Sequence, residues 1–335
     1  MILPRSGPKQ AMGLGPRRRG TRQGQVTGCR STAQLGSIAA LLVPLWASGC
    51  ATPPKQPHEE VETRKATPIS VCTTQLAPPR RKAGSDKAVV RSLDPEQWME
   101  VLDPSFDQTK GIVATETDCT GHYLFANEDL RYGVSKGGWP RKVDPDELEI
   151  ASGPEGMRVL WLRSLTFENG DVGGPVALVR AIDDRAEVYG VGSFRGPADS
   201  KLTPVRVGNE PLVVAEAKHC PDPTNCRTTA HFYLVRRGRL LDAADVDVDR
   251  VQRVPSVSER GLYAEYQLKT DVSYDADGIL LLEQVQVKIV PYEQAGDRDS
   301  DRVLRKVEFT RKLKVERDSL FATNESLWER VVGQD

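Results

Sequence analysis

From Gly111 almost to the C-terminus, apolar residues recur at every second position. Leu262, Ala264, Tyr266, Leu268, Thr270 and Val272 alternate with Tyr263, Glu265, Gln267, Lys269 and Asp271. Val303, Arg305, Val307, Phe309, Arg311, Leu313 and Val315 alternate in the same way with Lys306, Glu308, Thr310, Lys312 and Lys314. A period of two sends successive side chains to opposite faces of an extended chain, so each segment predicts a strand with one buried and one wet face. Between them Ile279 to Val290 is an apolar, β-branched run, entered through Asp275-Ala276-Asp277-Gly278, a turn of the kind that joins antiparallel neighbours.

Earlier runs at Met157–Phe167, Pro175–Ile182, Arg185–Phe194, Pro211–Lys218, Thr229–Arg236 and Leu240–Val248 are divided by Asn169-Gly170, Asp183-Asp184, Gly208-Asn209 and Arg237-Gly238. The pattern predicts a mainly β fold: an antiparallel meander of roughly ten to twelve strands, forming a curved sheet, sandwich or barrel. No signature recurs at the ~40–50-residue spacing of propeller blades. Helical signals are confined to two places. Asp94 can cap a helix that begins at Pro95, with Gln97 completing a capping box and Leu93 stapling onto Trp98, and Asp103-Pro104 stops it after Leu102. Near the end, Asn324 to Val332 can form a turn or two whose Leu327, Trp328 and Val331 dock on a sheet, as a terminal helix that covers an edge.

The first fifty residues follow a different pattern. Seven basic residues (Arg5, Lys9, Arg17, Arg18, Arg19, Arg22, Arg30) and no acid precede Cys50, and Leu35 to Trp46 is an apolar run of twelve residues ending at Ala47-Ser48-Gly49-Cys50. The run is too short for the roughly 20 residues that span a bilayer. This arrangement resembles the lipobox signal of bacterial lipoproteins. The resemblance implies cleavage before Cys50, acylation of Cys50, and a membrane held through that lipid. Ala51 stands where such lipoproteins often carry an inner-membrane retention Asp, which implies the outer membrane. The expected organisation is therefore a signal peptide over 1–49, a tether over 50–70, rich in Pro, Glu, Lys and Thr, and a β domain over 71–335 with a break near 140–155. A second polar stretch, Pro78 to Lys87 with Pro-Pro-Arg-Arg-Lys, reads as a surface loop.

Loss of the leader and its seven basic residues takes the net charge from -1 to -8. An acidic exported surface excludes nucleic acid as the expected partner, because phosphate binding is driven by concentrated Lys and Arg. Of the six cysteines, Cys29 leaves with the leader and Cys50 is the anchor. Four remain, and they admit three pairings. Cys220 and Cys226 bracket the turn-rich Pro-Asp-Pro-Thr-Asn and suit a small disulfide loop, which leaves Cys72 for Cys119.

Candidate chemistry is thin. Gly133-Val134-Ser135-Lys136-Gly137 matches a nucleophile elbow, but Gly138-Trp139-Pro140 cannot start the helix that elbow needs. His219, Cys220, Cys226 and His231 have spacing that could hold zinc, yet export favours the disulfide. Gly190-Val191-Gly192 and Gly196 lack the following helix of a phosphate loop and read as a bulge or crowded sheet corner. Asp297, Asp299 and Asp301, with Leu304 and Glu308, occupy EF-hand positions, but Arg302 replaces the turn-making glycine, so a solvated hairpin loop is expected. No metal, cofactor or catalytic set is expected. The leading expectation is a non-catalytic lipoprotein that binds or scaffolds an envelope protein; the alternative is a periplasmic carrier holding a lipid or other apolar ligand in a barrel-like cavity.

Overall fold

The computed structural model describes residues 69–79, 87–113, 117–121, 130–135, 140–257, 260–291 and 302–332. The chain divides into two compact units, 1–61 and 62–335, and every described element lies in the second. Cys50, Asp297, Asp299 and Asp301 lie outside the described residues.

The fold is mainly β. In chain order the elements are β1 (Cys72–Gln75), α1 (Pro95–Leu102), β2 (Phe106–Asp107), β3 (Ile112–Val113), β4 (Val134–Ser135), β5 (Arg141–Lys142), β6 (Leu148–Ser152), β7 (Met157–Leu162), β8 (Leu165–Thr166), β9 (Val172–Ile182), β10 (Arg185–Gly196), β11 (Lys201–Val207), β12 (Glu210–Asp222), β13 (Asn225–Arg236), β14 (Arg239–Pro255), β15 (Leu262–Asp275), β16 (Gly278–Pro291), β17 (Arg302–Glu316), β18 (Ser319–Ala322) and α2 (Leu327–Val331). Fifteen strands share one sheet, whose main path runs β18-β17-β16-β15-β14-β10-β9-β7-β6, while β13, β12 and β11 branch from β14. A second sheet contains only β2, β3 and β5. The strands beyond the expected ten to twelve are mostly pieces of two to five residues, plus β11, whose Pro204 is tolerated because β12 is that strand's only partner.

The sheet is not closed into a barrel. Nor is it purely antiparallel: β10 and β14 run parallel at one bridge, Val191 with Arg239, reinforced by Val191 N–H donating to the Gly238 carbonyl at 3.0 Å. The neighbouring glycines explain how the strands come so close. A Cβ on Gly192 would stand 2.8 Å from the Leu240 Cβ, and one on Gly190 would stand 3.3 Å from Val235, just past the bulge that shifts the β9–β10 register between Val188 and Gly190. The glycine-rich stretch is thus a crowded sheet junction.

Folding the sheet back on itself stacks it in layers. The outer face of β7, β9 and β10 packs Leu160, Leu162, Ala177, Val179 and Val188 against Trp98, Met99, Val101 and Leu102 of α1. Their inner face packs Val159, Trp161, Val176, Leu178 and Phe194 against Leu202, Val213, Ala215 and Ala217 of β11 and β12. The other face of β12 and β13 sets Leu212, Val214, Phe232 and Leu234 on Ile279, Leu281, Leu313 and Leu320 of β16 to β18. Strands covered on both faces need apolar residues at every position, so β7 and β9 read as continuous runs. In β15 and β17 alternation survives from Tyr266 to Thr270 and from Val307 to Val315.

Both helices form where expected. In α1 the Asp94 carboxylate accepts from Gln97 N–H at 2.8 Å and Gln97 Oε1 accepts from Asp94 N–H at 3.1 Å, while Asp103 ends the helix in an extended conformation. The C-terminal helix docks its three apolar residues on a sheet as expected, but on a face and not over an edge. Leu327, Trp328 and Val331 pack on Tyr266, Leu268, Val285 and Val287, with the Trp328 ring edge-on to Tyr266 at 6.4 Å. That apolar face continues from Ile279 and Leu281 beyond the region the inner layer covers, and α2 closes it.

Both disulfides join the expected pairs, Cys72–Cys119 and Cys220–Cys226. Loop-closure entropy ranks them: with a sequence separation of 47 against 6, serine replacement of the Cys72 pair should lower unfolding free energy in urea by about 4 kcal/mol and of the Cys220 pair by about 2 kcal/mol. In the same assay Gly192→Ala should lower it by about 1–3 kcal/mol, since the added methyl meets the backbone-fixed Cβ of Leu240.

Candidate ligand-binding groove

Two hairpin tips and the chain leading into β1 meet at one end of the layered unit. The first tip, Arg237-Gly238, joins β13 to β14 with φ of 50° and 76°. Gly238 is required twice: its φ lies in the left-handed region, and a Cβ there would stand 2.4 Å from the side chain of Val71. The second tip, Arg317-Asp318, joins β17 to β18, with Arg317 at φ 55°. Arg236, half-buried, ties the tips together: its Nε donates to the Arg317 carbonyl at 2.7 Å, and it pairs with Glu210 at 2.9 Å and Asp318 at 3.4 Å.

The resulting groove has a volume of about 790 Å³ and is open to solvent. Its floor is apolar (Val71, Val235, Val315 and Pro211), formed where the two inner layers reach the surface, and Ile69 beside it is 83% exposed. Its rim holds Arg236, Arg237 and Arg317 against one carboxylate, Glu210. Arg237 and Arg317 are exposed and have no ion-pair partner among the described residues. The volume and the pairing of apolar walls with a few polar groups fit a small-molecule or headgroup site.

Two further concavities are structural. One of about 200 Å³ lies between β13, β14, β16 and α2, and its buried charges are paired within it. Buried Glu283 accepts from the Arg311 Nε and from the backbone N–H of Leu327, both at 2.7 Å; Asp247 pairs with Arg227 and Arg250, and Arg250 lies 4.4 Å over the Trp328 ring. This network fastens α2. The other, of about 100 Å³, is lined by Arg180, Tyr189, Arg206 and Glu155. There Arg206 pairs with Glu155, Arg180 pairs with Glu187 at 3.2 Å, and Tyr189 OH donates to Glu187; burial, then that hydrogen bond, pushes the Tyr189 phenol well above its ordinary value.

The chemistry-bearing residues of the sequence do not converge. Ser135 sits inside β4, where it pairs with Leu165 of β8, and not on a strand-to-helix elbow. His231 lies mid-strand in β13 with its Nδ1 2.7 Å from Asp245, while His219 stands opposite Arg227 near the far end of that hairpin. No group of three metal-ligating side chains occurs among the described residues. Leu304 and Glu308 are strand residues of β17. The groove arginines escaped the sequence reading because Arg237-Gly238 signals only a turn and Arg317 carries no turn signal at all; their convergence depends on hairpin register. No helix among the described residues is long and apolar enough to cross a membrane. Compared with protein-family models, with curated proteins and with solved structures, the chain matches none.

Arg236 is the strut of the groove, and its planar fork meets two carbonyls, of Arg317 and Val235, and two carboxylates at once. Arg236→Ala should cost about 1–3 kcal/mol in a urea titration, and Arg236→Lys should recover less than half of that, because one ammonium cannot span the four acceptors.

Proposed function

We propose that this chain is an exported lipoprotein, held to the membrane through acylated Cys50, and that its β unit works by binding another component of the cell envelope, without chemistry of its own. The lipobox-type leader supports the address. The observation that carries the binding role is the packing: between the stacked sheets the space is filled by Trp161, Leu178, Phe232, Leu281 and their neighbours, each at most 1% exposed, so contact with a partner takes place at the surface. The outer membrane is the proposed location, on the residue after the anchor.

The second reading is a carrier of an apolar ligand, and the apolar floor of the 790 Å³ groove favours it. A carrier retains its cargo in solution, whereas a surface-binding module does not. The two parts are tested separately. Mass spectrometry of the mature N-terminus should find acyl chains on Cys50 and none in Cys50→Ala; an unmodified wild-type Cys50 would overturn the anchoring. Organic extraction of the Cys50→Ala protein, purified without detergent, should yield no lipid near one per chain, and a stoichiometric lipid would replace the binding role by carriage.

A further inference from the structure

We propose that the groove between the two arginine-tipped hairpins docks an anionic phospholipid of the membrane to which the chain is tethered, with Arg237 and Arg317 on the lipid phosphate and the apolar floor against the glycerol and first acyl carbons. The first argument is local. A left-handed backbone favours Gly, Asn and Asp, and an arginine there is energetically disfavoured. Two of the four non-glycine residues with positive φ among the described residues are these arginines, on different hairpins and at the same groove. Neither guanidinium has an ion-pair partner among the described residues, so no ion pair there offsets that cost.

The second argument is complementarity. Arg236 is consumed by Glu210 and Asp318, which leaves Arg237 and Arg317, without ion pairs among the described residues, over an apolar floor. A free inorganic phosphate would use the cations and leave the floor wet; a phospholipid uses both. Charge also orients the approach. The chain without its leader carries a net charge of -8, so most of its surface is repelled by an anionic bilayer, and attraction is confined to basic patches within a Debye length, about 8 Å at physiological salt.

The third argument is position. Ile69 and Val71 line the groove, and they are where the chain enters the described fold. Eighteen residues separate Ile69 from Cys50, a reach of at most ~60 Å. A lipid anchor on that length of chain holds this wall at high effective concentration at the bilayer. The inference rests on the lipoprotein reading only for that proximity.

The test uses the chain from residue 50 onward as Cys50→Ala, which keeps every described element and both disulfides and lacks the basic leader. Flotation with phosphatidylglycerol–phosphatidylcholine vesicles should recover the protein, and phosphatidylcholine vesicles should not. Arg237→Gln with Arg317→Gln should weaken association by roughly thirty-fold, with an unchanged thermal melt because glutamine fits those turns as well as arginine does. Arg305→Gln with Lys306→Gln, on exposed β17, should bind as the parent does. Equal recovery on both vesicle types, no recovery on either, or an equal loss in the β17 variant would overturn the proposal. None of these outcomes depends on acylation, so an unacylated Cys50 would sink the anchor and leave the groove standing.

Discussion

The unit depends on the close contact between the start of β14 and the middle of β10. One hydrogen bond, Val191 N–H to the Gly238 carbonyl, and one parallel bridge connect the strands before the junction to those after it. Single backbone bonds contribute little, about 1 kcal/mol net. The join holds because Gly190 and Gly192 let two backbones approach to side-chain distance, and because Leu240 on β14 then reaches the same core as Trp161, Leu178 and Phe194. Burial supplies the energy and the glycines supply the geometry. Nearby, Asp118 is buried and pairs with Arg239 at 3.2 Å, while Cys119 is bonded to Cys72 at the start of β1, so the N-terminal segment is fastened to the same corner.

Layering follows from that junction. Once β14 leaves β10 and continues into β15 to β17, its sheet turns back and β12 is enclosed on both faces over Leu212 to Ala215. Charges that the layers trap are paired: Arg311 with Glu283, and Arg253 with Glu265, which also accepts from Gln267 at 2.6 Å. Such pairs add little net stability compared with apolar packing, but losing one partner leaves a buried charge costing about 3–5 kcal/mol. They therefore constrain which registers the strands can adopt. Glu283 does this for α2, because the same carboxylate that neutralises Arg311 accepts the Leu327 N–H that no helical carbonyl can reach.

What was legible in the sequence is local. The capping box at Asp94, the turns at Asp183-Asp184 and Arg237-Gly238, the alternation in β15 and the two disulfides each depend on residues close in sequence or on a small number of pairings. Three features needed register that the chain does not spell out. The parallel bridge of Val191 with Arg239 joins strands that are antiparallel to their other neighbours. The face on which α2 docks shares its alternation with the core behind β12, so periodicity identifies an apolar surface and not what covers it. The groove was least visible, because its cations come from turn positions where composition predicts Gly, Asn or Asp.

That last mismatch carries the functional argument. A chain that obeys its turn rules at Asp183-Asp184 and Gly208-Asn209 departs from them at Glu155, Arg237 and Arg317; Glu155 is paired with Arg206, and the two arginines face one apolar groove lined also by Ile69 and Val71. Random drift would scatter such residues over many turns, and a purely structural need would have paired them, as it paired Arg236 with Glu210. A local cost that no ion pair among the described residues offsets is what the proposed docking accounts for. With the net charge of -8 that the proposed loss of the leader would leave, two guanidiniums that have no ion pair among the described residues, beside apolar surface, mark where an anionic, partly apolar partner would meet the least repulsion. The geometry of the tips, braced by Arg236, then holds that site on two strand ends anchored in separate core layers, so the cations are spaced by the sheet itself and not by a mobile loop.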